Sequence, residues 1–211
     1  MRDRSYAARY LSEAQAILAA LDPAAIDAMA HSLAGVRERG GRLFFLGVGG
    51  GAAHASHAVC DFRKIAGFEA YTPADNVAEL SARVNDEGWE TTFVEYLRGS
   101  RLAAEDGVFV FSVGGGSEEP SVSANLVRAV AYAKEVGASV YGVVGRDGGY
   151  TAARADHCII VPTVAPETVT PHTESFQAVL WHLLVTHPAL RRHGMKWETL
   201  DRAGGALAAE R

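Results

Sequence analysis

Three glycine-rich turns carry the clearest chemical signal in the 211-residue sequence, because each has the composition of an anion-binding loop. Glycine lets the backbone approach a ligand closely and expose its N–H groups, and a helix that follows such a turn favours a negative charge such as phosphate. The turns span residues 47–52, 112–117 and 145–149. Ser112 and Ser117 bracket the second turn and add two hydroxyl donors. Together the turns predict a site for a phosphate group.

Two other interpretations of these turns stay open from the residues alone. Residues 47–52 fit the G-x-G-x-x-A pattern of dinucleotide-binding proteins, and Glu69 lies about the right distance downstream to meet a ribose hydroxyl. A dinucleotide fold, however, concentrates its glycines in the first turn and does not need a second loop bracketed by serines. All three turns could also be tight turns with a purely structural role. The phosphate interpretation is preferred because it uses Ser112 and Ser117.

Two pairs of side chains could hold a metal ion or move a proton. His57 and Asp61 are four residues apart just beyond the first turn, so they share one face of a helix and could grip a single ion. Glu174 and His182 are eight apart on the last predicted helix, which separates their Cα atoms by roughly 12 Å. Taken alone, His57 and Asp61 would be a surface pair, Glu174 a charge favourable to the helix dipole, and His182 a core histidine.

The elements that must position these residues alternate along the chain. Apolar residues at helical spacing predict two helices within residues 5–38, before any strand. Five β-rich runs then alternate with helical stretches, which predicts an α/β fold with a doubly wound, five-stranded parallel sheet. The runs at 43–46 and 108–111 are apolar throughout, as expected for strands covered on both faces. A long final helix is predicted near residues 172–185. The predicted strands span residues 42–46, 68–71, 108–112, 139–144 and 157–162.

Length and composition predict one domain of an intracellular protein. The expected organisation is a pair of helices in residues 1–40, an α/β core in residues 41–195 and a frayed tail in residues 203–211. The net charge of −5, from 20 basic and 25 acidic residues, provides no basic stripe for nucleic acid. Cys60 and Cys158 form no CxxC pair, so we expect reduced thiols in the core. No window is apolar enough for a membrane span, and we expect a cytoplasmic location.

Beyond these patterns, the order of motifs resembles the phosphoheptose isomerase branch of the sugar isomerase (SIS) domain family. The resemblance covers nearly the whole chain and implies a single SIS-type, flavodoxin-like domain. It rests on the two N-terminal helices, the first turn leading into Ala55-Ser56-His57, the segment at residues 85–89, the loop at 112–117, the turn at 145–149 and a last helix bearing His182.

The resemblance implies an aldose–ketose isomerase that converts sedoheptulose 7-phosphate to D-glycero-D-manno-heptose 7-phosphate through an enediol, assisted by Zn²⁺. It also implies a homotetramer, and the apolar faces of the N-terminal helices are expected to meet other subunits through Tyr10, Leu11, Ile17, Leu18, Ile26, Met29 and Leu33. The implied metal ligands are His57, Asp61, Glu174 and His182, and the implied catalytic residues are Glu174, His182 and Asp61. The implied substrate-binding residues are Gly49, Gly50, Gly51, Ser56, Asn85, Asp86, Ser112, Gly114, Gly115, Gly116 and Ser117.

The chain departs from the usual pattern of this branch at several positions. Val48 and Gly51 stand where the branch usually has Asn and Ser, and residues 118–120 lengthen the serine-glycine loop. Asp61 stands in place of the usual Glu, which withdraws the presumed basic carboxylate by roughly 1.5 Å from a proton transfer that needs heavy atoms within about 3.2 Å. Glu174 stands in place of Gln and adds a group that can accept a proton. We therefore expect Glu174 to be the base, His182 the acid and Asp61 a metal ligand, with Asp61 as base the open alternative.

A rival hypothesis is a SIS module without catalytic activity. Such a module would bind a sugar phosphate as a sensor, or a protein partner such as a replication initiator. The altered first turn favours this rival, whereas the presence of His57, Asp61, Glu174 and His182 opposes it.

Overall fold

The computed structural model describes residues 5–196, which form eight α-helices and five β-strands. The predicted tail at residues 203–211 lies outside this range. The strands are β1 Leu43–Gly47, β2 Ala70–Tyr71, β3 Gly107–Ser112, β4 Ser139–Val144 and β5 His157–Ile160. The helices are α1 Tyr6–Ala20, α2 Pro23–Glu38, α3 Gly50–Lys64, α4 Val77–Glu87, α5 Thr92–Gly99, α6 Ala124–Val136, α7 Gly149–Arg154 and α8 Val169–Thr186.

The five strands form one parallel sheet in the order β2-β1-β3-β4-β5. This is the flavodoxin-like order, and it confirms the predicted fold class. The chain leaves β1 toward β2 and later returns to place β3 on the other side of β1. Ligands of such sheets bind beyond the carboxyl ends of the strands where the order reverses, which here is the edge between β1 and β3.

Helices cover both faces of the sheet, because alternate residues of the central strands point to opposite sides. Phe45 and Phe109 pack with α2, α3 and α8 on one face, and Phe44 and Val110 pack with α5 and α6 on the other. All five residues of β1 are buried. This confirms the prediction that the uninterrupted apolar runs are strands covered by helices on both faces.

Several element boundaries differ from the predicted ones for local reasons. β2 begins at Ala70 because the Phe68 N–H donates to the carbonyl of Phe62 in the turn after α3. β5 ends before Pro162, which has no N–H to donate to a neighbouring strand. Of the cysteines, Cys60 is exposed, contrary to the expected core position, whereas partial burial raises the pKa of Cys158 to about 12.

The second N-terminal helix belongs to this chain's own core, which corrects part of the expected subunit contact. Ile26, Met29 and Leu33 of α2, and also Ile17 of α1, are buried against the sheet, so the prediction that they face other subunits is wrong. Leu11 and Leu18 of α1 remain exposed. An apolar strip on α1 therefore remains exposed.

A buried polar contact fixes α1 against the start of α8. Nε2 of His172 lies 3.0 Å from Glu13, the hydroxyl of Thr168 donates to the same carboxylate at 2.8 Å, and the Tyr10 ring stacks on His172. These hydrogen bonds, above all that of His172, lower the pKa of Glu13. The contact ties α1 to the helix that carries Glu174 and His182.

No single helix within residues 5–196 is long and apolar enough to cross a membrane. The pair α1 and α2 meets the same criteria of length and composition only when taken together, with a 66° bend between the two helices.

Candidate functional site

A cleft of about 300 Å³, which we name the inner cleft, opens where β1 and β3 end. It lies at the edge at which the strand order reverses, as the topology predicts. Residues from all three glycine turns, from the start of α6 and from α8 surround it. They are Val48, Gly51, Phe111, Ser112, Val113, Gly114, Val122, Ser123, Leu126, Arg146, Thr170, Glu174 and Gln177.

Two close approaches occur at the start of α3. A Cβ on Gly51 would lie 2.5 Å from the carbonyl oxygen of Phe111 in β3, and a Cβ on Gly50 would lie 2.5 Å from Cδ of Glu174. Real Cβ atoms essentially never come so close to another heavy atom. The backbone of this chain therefore has no room for a serine at position 51, which gives the departure at Gly51 a physical reason.

The serine-glycine loop divides between two clefts. The Ser112 hydroxyl lines the inner cleft and accepts a hydrogen bond from the Gly115 N–H at 3.0 Å, which leaves its own proton free for a ligand. Ser117 instead donates to the carbonyl of Glu119 at 3.1 Å and does not line the inner cleft. The structure thus separates the two serines that the sequence paired.

Ser123 lies on the inner cleft, although the sequence analysis did not identify it. It stands at the N-cap of α6 with φ of +51° and makes no side-chain capping bond, so its hydroxyl is available to a ligand. A serine directly before a helical segment is an N-cap signal, and this signal could have identified it.

The third glycine turn supports the second. A Cβ on Gly115, whose φ is +70°, would overlap the carbonyl oxygen of Gly148. The Thr151 hydroxyl donates to the Gly115 carbonyl at 2.7 Å, and the Tyr150 N–H donates to the Gly116 carbonyl at 2.8 Å. These contacts give the third turn a structural role, because it holds the backbone of the second turn in place.

A second cleft of about 930 Å³, the outer cleft, lies on the other side of the serine-glycine loop. Arg146 lines both clefts, as do Gly114 and Val122. The remaining lining residues come from the lengthened loop and from α7. They are Gly116, Ser117, Glu118, Glu119, Pro120, Asp147, Gly149, Tyr150 and Ala153.

His57, Asp61 and His182 form a compact cluster of potential metal ligands. One ligand atom from each lies within 4.8 Å of the others, and Nε2 of both histidines faces Oδ2 of Asp61, at 3.7 Å from His57 and 3.9 Å from His182. Nδ1 of His182 lies 2.8 Å from the Ala178 carbonyl and so donates to it, which leaves a lone pair on Nε2. Two histidines and one carboxylate are a donor set that zinc accepts.

Glu174, the fourth predicted ligand, is not part of this cluster. Its carboxylate lies against Gly50 in the inner cleft, two helical turns from His182 along α8. Of the four predicted ligands, the structure therefore brings together three and places Glu174 in the inner cleft.

His54, which the sequence did not single out, interacts electrostatically with Glu174 of the inner cleft and with His57 and His182 of the metal-ligand cluster. Burial lowers the pKa of its imidazole, the charge of Glu174 opposes this effect, and His57 and His182 lower the pKa further. His54 therefore lies within electrostatic range of both Glu174 and the metal-ligand cluster. The signal was its spacing, because His54, His57 and Asp61 share one face of α3.

The family model for the SIS domain matches residues 9–145, which include most of α1, the first glycine turn, His57, Asp61 and the serine-glycine loop. This match covers more than half of the chain. The chain belongs to the SIS domain family.

Relatives of this SIS chain include a lincomycin biosynthesis protein and several phosphoheptose isomerases. The lincomycin biosynthesis protein LmbN of Streptomyces lincolnensis is 34% identical over 180 residues, 82% of this chain, and the match spans 65% of LmbN. Phosphoheptose isomerase of Rhodospirillum rubrum is 31% identical over 150 residues, 69% of this chain and 74% of that protein. The structure of phosphoheptose isomerase GmhA from Neisseria gonorrhoeae has 26% identity and a TM-score of 0.68, and covers 84% of this chain and 89% of its own.

Several predicted binding residues of the SIS chain lie away from both clefts. Asn85 and Asp86 are exposed on α4, where Nδ2 of Asn85 donates to Asp86 at 2.7 Å, and α4 buries no residue. Ser56 is partly buried on α3, and Gly49 precedes α3; neither lines a cleft. Glu69, the residue that a dinucleotide would need, is exposed and accepts a hydrogen bond from Tyr71 at 2.8 Å.

Gln177 is a buried residue of the inner cleft that the sequence analysis also missed. Its amide NH₂ donates to the carbonyls of Ser112 and Val143 at 3.2 and 3.0 Å, and this fixes α8 to the ends of β3 and β4. Because both partners are carbonyl oxygens, the amide nitrogen and not the amide oxygen of Gln177 must face the sheet. Gln177 thereby sets the position of Glu174, one turn earlier on the same helix.

We expect Gly51→Ala to destabilise the protein and Gly35→Ala to stabilise it. The added methyl at position 51 meets the Phe111 carbonyl and should lower the free energy of unfolding by about 1–3 kcal/mol. Gly35, inside α2, has nothing within 4 Å of its would-be Cβ, so alanine there should raise the free energy by about 0.5–1 kcal/mol. Urea unfolding of both variants measures the difference. Equal stabilities would show that the first turn can relax around a side chain at position 51.

Proposed function

We propose that this SIS protein is an aldose–ketose isomerase of phosphorylated sugars, acting on sedoheptulose 7-phosphate to give D-glycero-D-manno-heptose 7-phosphate. The observation that carries the proposal is the inner cleft, whose lining combines the acid Glu174 with Ser112 and Ser123. The similarity to phosphoheptose isomerases supports this choice of substrate. A cytoplasmic location, expected from the sequence, accompanies the proposal.

The reaction moves a proton between two adjacent carbons, so it needs a base beside the sugar and an anchor for the phosphate. In our proposal the hydroxyls of Ser112 and Ser123, with nearby backbone N–H groups, hold the phosphate. Glu174 removes the proton from the carbon next to the carbonyl, which gives an enediol, and returns it to the neighbouring carbon. The sugar oxygens exchange their proton with an acid, for which His182 is the candidate.

We propose a zinc site at His57, Asp61 and His182, because the donor set fits and leaves a coordination position open. A bound zinc ion would supply Lewis acidity toward the carbonyl oxygen. Nε2 of His182 has one lone pair, so with zinc bound it would be a ligand and the metal would polarise the carbonyl, whereas without zinc His182 would act as the acid. Glu174 has no place in this set and keeps its carboxylate for the proton.

One observation favours the rival function of a SIS module without catalysis. Val48 presents an apolar side chain to the inner cleft, and Gly51 has no side chain, so the first turn offers the sugar no polar side chain at either position. A module of this kind would bind a sugar phosphate, or a protein such as a replication initiator, without turnover.

The proposed function is tested by incubating the full-length protein with sedoheptulose 7-phosphate, with and without added zinc, and following the aldose by NMR. We expect aldose to form, faster with zinc present. Binding of the sugar phosphate without turnover under either condition would favour the rival module. Absence of both binding and turnover would contradict both functions.

We expect Glu174→Gln to lose catalytic rate and Asp61→Asn to lose bound zinc. Loss of a general base lowers the rate by about 10²–10⁴-fold, so Glu174→Gln should lower kcat by that factor while zinc content stays near that of the wild type. Asp61→Asn should lower zinc content first. Glu167→Gln, at an exposed glutamate just before α8, is the control and should change neither quantity. If Glu174→Gln keeps most of its activity, the proposal that Glu174 is the base and Asp61 a metal ligand is wrong, and Asp61 becomes the candidate base.

We also propose that the protein is a homotetramer whose contacts include the exposed strip of α1. Leu11 and Leu18 are 63% and 59% exposed on a helix fixed to the body of the domain. Light scattering should give a mass near four chains, and Leu11→Glu combined with Leu18→Glu should lower it, because two buried charges would oppose association. A stable monomer at micromolar concentration for the wild type would refute the proposal.

A further inference from the structure

We propose that Arg146 forms an anion-binding subsite at the junction of the inner and outer clefts and that it binds the phosphate group of the sugar phosphate. This inference rests on the proposed function in one respect only, namely that the bound phosphate belongs to a sugar phosphate. The presence of an anion site at Arg146 follows from the charges and contacts of the clefts themselves.

Arg146 is the only lysine, arginine or histidine among the described residues that line either cleft. Within residues 5–196 its guanidinium makes no hydrogen bond and no ion pair. By contrast, Arg37, Arg42 and Arg83 each bind carbonyls or carboxylates of the chain. A guanidinium at a concave surface with five free donors in a planar fork is suited to bidentate binding of a phosphate.

The turn around Arg146 is fixed, so the residue keeps its place between the clefts. The Gly145 N–H donates to the Val113 carbonyl at 3.0 Å, and the Gly148 N–H donates to the Gly145 carbonyl at 2.9 Å. Asp147, the nearest carboxylate in sequence, accepts from the Gly149 N–H at 3.2 Å and caps the turn. The acid next to Arg146 is thus engaged with the backbone.

The distribution of charge places the anion on the inner side of Arg146. Glu118, Glu119 and Asp147 line the outer cleft and repel a phosphate there, since like charges disfavour each other at short range. The inner cleft offers the hydroxyls of Ser112 and Ser123 instead. A phosphate between these hydroxyls and Arg146 leaves the rest of the sugar to extend toward Glu174, the one carboxylate of the inner cleft.

The test measures the binding of inorganic phosphate by NMR titration of the backbone amides, without any turnover. We expect Arg146→Gln to weaken phosphate binding by roughly 10- to 100-fold, the range for hydrogen bonds to a charged group. Arg146→Lys should recover part of the loss, because it keeps the charge but not the planar fork. The control is Arg154→Gln, at an arginine of α7 that lies over the Tyr150 ring and lines neither cleft; it should bind like the wild type.

The outcomes separate the subsite from the proposed function. Arg146→Gln that binds phosphate like the wild type, or a wild type whose residue 112–117 amides do not respond to phosphate, would overturn the subsite. Phosphate binding that depends on Arg146 in a protein that does not isomerise the sugar would uphold the subsite and refute the isomerase. With an active enzyme, Arg146→Gln should raise KM by the same factor as the phosphate Kd and leave kcat within about threefold, because the contact is made equally in ground and transition states.

Discussion

The site depends on how closely α3 approaches the end of β3. At Gly51 nothing larger than a hydrogen atom separates the helix from the backbone carbonyl of Phe111, whereas at Gly50 the neighbour is the flexible end of the Glu174 side chain. This approach sets the start of α3 directly above the edge of the sheet where β1 and β3 part. Everything else in the inner cleft takes its position from that edge, because the serine-glycine loop leaves β3 there and α8 packs across it.

The last helix divides the chemistry between two places. Gln177 ties α8 to the carbonyls of Ser112 and Val143, and from this fixed point the helix presents Glu174 to the inner cleft and His182 to the Asp61 cluster. A rise of about 1.5 Å per residue keeps these two side chains two turns apart, so one metal ion is not shared between them. This separation is the reason that we propose proton transfer at Glu174 and metal binding at Asp61.

The departures from the usual sequence of the family have local compensations in the cleft. The first turn lacks a serine hydroxyl because its backbone lies too close to β3, yet Ser123 brings a hydroxyl from the start of α6. The lengthened loop returns on itself through the backbone pair Ser117 and Val122, which turns the Ser117 hydroxyl away from the inner cleft. Arg146 then provides the positive charge that neutral donors cannot.

The sequence by itself determined the fold class and the positions of the glycine-rich turns, because hydrophobic period and glycine placement are local properties of a chain. It also indicated the pairing of His57 with Asp61, since a spacing of four residues fixes a helical face. The tertiary structure alone decided that Glu174 lies apart from the cluster of His57, Asp61 and His182, that Ser123 and not Ser117 lines the inner cleft, and that α2 is part of the core. It also decided that Gln177 and Arg146 line the inner cleft. Those outcomes depend on contacts between segments distant in sequence, where packing distances of a few tenths of an ångström decide which side chain fits and which way it points.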